Sequence, residues 1–415
     1  MRRRNLGSLA ALLTAHTLSQ TGNVVTLFAV PFAVLATGGA ATQVGIASFF
    51  ATVPIVIGGP LGGALVGRIG FKRASILADV VNGLALILIP VLAGTIGLPF
   101  WGLLALVFVG GLLDTPGQTA RRVLVPEISV DAGVRLERSV GFIDAATRLS
   151  GLLGAPLAGI LVAAFGPFDA LYATAAGFMI SAVVTLLFVH VPRGPRLTDD
   201  ETRQSYWEEI RVGFHTVVHD PLLRIVIALV LVTNLLDAAR MNTLLPLYAA
   251  KHLGGAAALG WIVAAFGGAA LLGSVLFGFV AHRVPRRVTF SVCFALAGGP
   301  SIAVFALGLP VPWLVAAMSV SGFAAGSLNP ILGAVEFERI PPHLRARVFG
   351  LMTAATWAGV PIGGLLGGLG ASAIGLTATF TIVGTVYVGA CLTPLLGGRW
   401  RLMEKANIDR DRVAA

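Results

Sequence analysis

Charged side chains are scarce in this chain. Asp, Glu, Lys and Arg make up 12% of its 415 residues, whereas 56% are apolar. A soluble domain of this length carries about twice that charge on its surface, so the composition argues against an ordinary water-soluble fold. Cysteine is almost missing. Its two copies, Cys293 and Cys391, lie inside apolar stretches, which excludes a disulfide framework. The sequence has no run of metal-ligand spacing, no Walker loop and no nucleophile elbow. It therefore offers no enzyme chemistry. Without a nucleotide site, any pumping must draw on an ion gradient, and no bound cofactor is expected. There is no cleavable leader pattern either, because the first apolar run continues into a full span.

What the sequence does have is a regular series of apolar stretches. Each is near the ~20 residues needed to cross a bilayer. The expected spans are 9–36, 44–66, 74–96, 100–119, 140–165, 170–189, 222–249, 259–281, 288–307, 311–332, 348–369 and 377–396. The fold class is thus an all-α membrane protein with twelve transmembrane helices. Residues 1–191 form one six-helix bundle and 222–398 a second. Residues 192–221 link them, and 399–415 form a tail. In the linker, Tyr206, Trp207, Ile210, Phe214, Val217 and Val218 recur at helical spacing opposite Glu208, Glu209 and Arg211. That pattern predicts an amphipathic helix lying on the membrane surface.

Positive charge occupies alternate gaps. Arg2–Arg4, then Arg68, Lys72 and Arg73, then Arg121, Arg122, Arg135 and Arg138 lie in the first three such gaps. The linker follows, then Arg283, Arg286 and Arg287, then Arg339, Arg345 and Arg347, then the tail. In the gaps between these, Lys251 is the sole Lys or Arg. This positive-inside pattern predicts a multi-pass protein of the cytoplasmic (inner) membrane with both termini in the cytoplasm. The net charge of +10 is then topological and faces anionic lipid. It forms no basic patch for nucleic acid. The expected partners are a small-molecule substrate and membrane lipid, with the protein acting as a monomer.

The two halves repeat. Pro31 and Pro246 are 215 residues apart, as are Gly45 and Gly260, Arg68 and Arg283, Asp114 and Asn329, and Pro126 and Pro341. Six spans separate equivalent positions, so the repeats are parallel, related by an axis along the membrane normal. Two similar bundles around a central cavity are expected.

The loop Gly63-Ala-Leu-Val-Gly67-Arg68-Ile69-Gly70-Phe71-Lys72-Arg73 resembles the G-x-x-x-D-R-x-G-R-R-R signature of the major facilitator superfamily, with a weaker copy from Gly278 to Arg287. Gly151, Gly154, Ala155, Pro156 and Gly159 are similar to the G-x-x-x-G-P-x-x-G signature of antiporter members. With Arg121-Arg122-Val-Leu-Val-Pro126-Glu127, these segments resemble the bacterial drug and siderophore exporter branch, most of all the actinobacterial Tap-type multidrug efflux pumps. The resemblance implies the major facilitator fold, proton-coupled antiport of amphipathic compounds and a link to antibiotic resistance. The residues leave open uptake or export of an endogenous metabolite such as a siderophore. They also leave open a non-transporting membrane receptor. Two departures stand out. The loop carboxylate of the signature is Gly67 here and His282 in the second copy, and related exporters often carry Gly-Asp where this chain has Gly22-Asn23. The fourth span, as drawn, also lacks the arginine of many proton antiporters.

Ionisable groups inside a membrane are costly and therefore candidates for function. Asp237 lies about fifteen residues into the seventh span, near mid-membrane at ~1.5 Å per residue. Helical spacing puts Asn234, Asp237, Arg240 and Met241 on one face, and His16, Gln20 and Asn23 on a face of the first span. Both stripes are expected to line the central cavity. Asp237 either exchanges a proton or binds a cationic substrate, with Arg240 tuning its protonation, or else forms a static pair. His16 either titrates or serves packing. A cytoplasmic gate is expected from Arg68, Gly70, Lys72, Arg73, Asp114, Asp144 and Arg148. Asp114 is expected to pair with Arg68 or Arg73, Asp144 with Arg148, and Asp79 with the loop. Gly151, Pro156 and Gly159 give the fifth span a smooth face for close packing. Trp101 and Trp313 read as anchors near the outer surface.

Overall fold

A computed structural model describes residues 6–190, 215, 217–340 and 344–404, with the side chains of 59–68, 137 and 345–347 excepted. The linker's amphipathic pattern, Arg2–Arg4, Pro341, the end of the tail and the Arg68 side chain therefore lie outside the described residues. The described chain is helical, and twelve of its helices are long and apolar enough to cross a membrane. They are α1 (Leu6–Ala36), α2 (Ala41–Ile69), α3 (Phe71–Thr95), α4 (Phe100–Ala132), α5 (Leu136–Phe165) and α6 (Asp169–Phe188). There follow α7 (Pro221–His252), α8 (Ala256–Val280), α9 (Arg286–Ala306), α10 (Val311–Arg339), α11 (Val348–Ala373) and α12 (Leu376–Leu396).

The ends of these helices follow from local chemistry. Gly70 at φ 85°, Gly133 at φ 66°, Gly166 at φ 84° and Gly375 at φ 86° turn the chain where a side chain would be strained. Asp220 caps α7, accepting from the backbone N–H groups of Leu222 and Leu223 at 2.8 and 3.0 Å, with Pro221 at the first helical position. Gly70 and Pro285, 215 residues apart, occupy the same place at the starts of α3 and α9.

Two helices run further than hydropathy alone suggests. α4 breaks at Leu113 and resumes from Asp114 to Ala132. α10 breaks at Gly326 and Ser327 and resumes from Leu328 to Arg339. The two breaks fall within two residues of equivalent repeat positions. α7 carries a π-helical segment, Ala239–Leu244, between two α-helical pieces.

The chain groups into two compact units. The first comprises Met1–Arg196, Met241–Ala264 and Val360–Ser372; the second comprises Leu197–Arg240, Ala265–Gly359 and Ala373–Ala415. Within the first, α1 packs on α5 and α6, and α3 packs on α4 and α6. Leu9, Leu12, Leu124, Ile128, Ile143 and Val189 form an apolar core there. Within the second, α9 packs on α10 and α12.

Glycines set the closest approaches. In the first unit, a Cβ on Gly159 would lie 2.8 Å from the Ala256 carbonyl and 3.2 Å from the Gly260 Cα. A Cβ on Gly45 would lie 2.9 Å from the Gly368 Cα. Gly45 and Gly260 are the repeat equivalents, and each sits at a glycine-on-glycine crossing, α2 with α11 and α8 with α5. These crossings draw parts of the second repeat into the first unit, so spatial grouping and sequence repeat divide the chain differently. In the second unit, Gly322 and Gly273 bring α8 and α10 into backbone contact at Phe266 and Phe323. Small residues at crossings are how membrane helices pack where lipid provides no hydrophobic drive.

Candidate functional site

Two polar clusters lie within the helices. The first is built on α1, α3, α4 and α6. Arg121 is fully buried and pairs with Asp79 at 2.8 Å. The same guanidinium donates to the Ser19 hydroxyl at 2.7 Å and to Ser75 at 3.4 Å. Ser19 and Ser181 donate to Asp79 at 3.0 and 2.6 Å. One turn away, Asp114 accepts from Asn23 Nδ2 at 2.8 Å and from Gln118 Nε2 at 2.7 Å. Asn82 donates to Asn23 at 3.4 Å, and Asn23 to Gln20 at 3.4 Å.

Several expectations are corrected here. Among the described side chains Asp114 makes no ion pair with the basic loop. It sits at the first turn of the resumed α4, buried against α1. Arg73 is exposed and does not pair with it. The Arg68 backbone lies ten residues beyond Gly58, about 15 Å of helix rise further along α2, whereas Gly58 already abuts Thr115. Asp79 pairs with Arg121 instead of the loop. Arg121 had been assigned to a cytoplasmic gap, but α4 runs on to Ala132, so the fourth span does contain a buried arginine. The expected span ends at Thr119, two residues short of Arg121. The spacing of Asp114, Gln118 and Arg121 (i, i+4, i+7) was the available signal that helix continued with one polar face inward.

Of the other gate residues, Gly70 caps α3, and Lys72 donates to the Leu186 carbonyl at 2.9 Å. Asp144 and Arg148 are both exposed and form no ion pair among the described residues, so the i, i+4 pairing is also corrected. Helical spacing makes such a pair reachable, but two long side chains held together at a surface gain little. His16 is fully buried and hydrogen-bonded through Nε2 to Thr147 at 2.8 Å. Gly151 has open space around it, Gly154 meets Val24, and Pro156 and Gly159 meet Gly260.

The second cluster lies on α7, α9 and α12. Asp237 pairs with Arg240 at 2.7 Å, the carboxylate 34% exposed and the guanidinium 2%. Tyr387 donates to the other Asp237 oxygen at 3.4 Å. Arg240 also donates to Ser301 and stands 5.9 Å from the Phe266 ring centroid. Asn234 donates to the Thr356 carbonyl at 3.0 Å. The α-helical face ends at Ala238. From Ala239 the π segment changes the spacing, so Met241, half-buried, is not held in register with Asp237 by an unbroken α-helix. Single π turns inside α-helices recur at functional sites. Tyr387 and Ser301 were not legible beforehand, because their distance in sequence from Asp237 carries no pattern.

Among the described residues no group of His, Cys, Asp and Glu could hold a metal ion. The arrangement is one of ionisable groups inside apolar helices, suited to binding and proton exchange.

Known proteins agree with this architecture. The Multidrug efflux pump Tap of Mycobacterium tuberculosis is 29% identical over 99% of both chains. The protein of that name from Mycolicibacterium fortuitum is 29% identical over 90% of this chain and 91% of its own. Macrolide efflux protein A of Streptococcus pyogenes is 25% identical over 84% of this chain and 86% of its own. Among solved structures, the nucleoside transporter NupG superposes with a TM-score of 0.70 at 15% identity, covering 94% of this chain and 98% of that one. A D-xylose-proton symporter gives 0.68 at 17% identity, covering 94% and 95%. The sequence profile of the Major Facilitator Superfamily matches residues 12–256 and 227–412. Twelve apolar helices, a parallel repeat visible in both sequence and helix breaks, and a profile match across nearly the whole chain make this protein a multi-pass membrane transporter of the major facilitator superfamily, not an enzyme.

Proposed function

We propose that the protein exports amphipathic small molecules, drugs among them, from the cytoplasm in exchange for protons by alternating access. Similarity over 99% of the chain to Multidrug efflux pump Tap and over 84% to Macrolide efflux protein A supports the direction and the substrate class. The observation that carries proton coupling is Asp237. It is a partly exposed carboxylate at the edge of a π-helical segment, held by Arg240 and Tyr387. Such a group can lose its arginine partner on protonation, and so favour one facing state over another. The proton gradient is the energy source, and no bound cofactor takes part. The alternation of positive charge supports a location in the cytoplasmic membrane with both termini inside. It acts as a monomer with bound lipid.

The test is accumulation of a fluorescent amphipathic cation in cells making the protein. Accumulation is expected to fall relative to control cells and to recover when a protonophore collapses the gradient. Asp237→Asn is expected to abolish the difference. Full export by Asp237→Asn with unaltered pH dependence would overturn the coupling role.

A further inference from the structure

The cluster on α1, α3 and α4 contains two carboxylates and one guanidinium. Asp79 is satisfied many times over, by Arg121, Ser19 and Ser181. Asp114 is buried, and the donors that hold it, Asn23 and Gln118, are neutral amides. Among the described side chains it has no ion-pair partner. The charges do not cancel: with both carboxyls ionised the cluster holds one uncompensated negative charge. Inside a bilayer that state is strongly disfavoured. Arg121 does not supply the missing charge: its bonds go to Asp79, Ser19 and Ser75, and none reaches Asp114. Arg121 Nε is buried and has no acceptor, so the guanidinium retains an unused donor. Arg121 lies two helical turns from Asp114 on the same face of α4. The other ionisable groups acting on this region are His16 on α1, bound to Thr147, and Arg122, the exposed neighbour of Arg121.

We propose that Asp79, Asp114 and Arg121 form a proton site, separate from Asp237, that holds one proton on Asp114 while Arg121 pairs with Asp79. The step is simple. A proton from water bonds to one Asp114 oxygen, and no other covalent bond changes. Each carboxyl oxygen has two lone pairs and here uses one for an amide N–H, so the acid form keeps both bonds. The ligand is a proton and not a metal cation, because the groups meeting Asp114 present N–H donors and not oxygen ligands. The site does not depend on the role proposed for Asp237. Asn82, bonded to Asn23 and one turn from Asp79, links the two layers of the cluster.

Infrared difference spectra between high and low pH, recorded on the full chain in lipid vesicles, test this. The wild type is expected to show a protonated-carboxyl carbonyl band that Asp114→Asn removes, a loss of about one acid group per protein. Asp237→Asn is expected to leave this band in place. Asp79→Asn is expected to remove it too, because Arg121 then has Asp114 as its only carboxylate and ionises it. A band undiminished in Asp114→Asn overturns the proposal. So does a band that persists in Asp79→Asn, or one that sodium abolishes at constant pH. These readouts do not require transport, so failure of export in Asp237→Asn and failure of this site are distinguishable.

Discussion

Gly159 on α5 and Gly260 on α8 face each other so closely that a methyl group on either would strike the other helix's backbone, at 2.8 Å from the Ala256 carbonyl in one case and 2.9 Å from the Ala155 carbonyl in the other. Backbone cannot step aside as a flexible side chain can. Gly260→Leu is therefore expected to destabilise the protein by about 1–3 kcal/mol or more, as overpacked sites do. Gly151→Ala, in the same glycine motif but with open space around it, is expected to melt within about 0.5 kcal/mol of the wild type. Thermal unfolding in detergent compares them, and equal losses at both sites would disprove the crossing argument.

The Asp79–Arg121 pair predicts an asymmetry. Arg121→Met leaves the buried Asp79 carboxylate with no guanidinium, at a cost of about 3–5 kcal/mol. Asp79→Asn costs less, because Arg121 can turn to Asp114. Adding Asp79→Asn to Arg121→Met is expected to restore part of the loss. Melting temperatures of the two single variants and the double variant decide this, and a double variant worse than the sum would count against it.

Asp220 does two things at once. It caps α7, and it accepts from Arg339 Nε at 2.8 Å. Asp220→Asn keeps an oxygen for the cap and loses the charge. The pair is partly exposed, 26% and 19% for the two side chains, so the expected cost is under ~1 kcal/mol. Asp220→Ala loses both, and about 1–2 kcal/mol is expected. Unfolding measurements that rank Asn below Ala would contradict the capping role.

Arg240 contacts Asp237 and Ser301 together and lies over Phe266. A lysine keeps the charge but cannot fork, so Arg240→Lys is expected to reduce export at least tenfold while the protein still reaches the membrane. Export rate per molecule, normalised to membrane content, is the measure. Unchanged export in Arg240→Lys would show that charge alone suffices.

Much of the fold could be read in the chain. Twelve apolar runs give twelve helices because an unpaired backbone cannot sit in lipid, so length and hydropathy suffice. The 215-residue repeat was legible too, but the breaks in α4 and α10 were not, because hydropathy runs through them without interruption. Single residues in the site were read less well. Asp237 and Arg240 were found as a pair because they lie within one helical turn. Asp79 and Arg121 were not, because they are 42 residues apart and meet only when α3 lies against α4. Asp114 and its half-buried partner Asn23 were missed for the same reason, being 91 residues apart on different helices.

By itself, then, the sequence determined how many times the chain crosses the membrane and that its halves repeat, since both depend on local composition and spacing. Only the tertiary structure decided which carboxylate has a counterion. Arg121 can neutralise Asp79 or Asp114, both on helices it touches, and helix packing alone selects between partners that are equally charged and equally polar in the sequence.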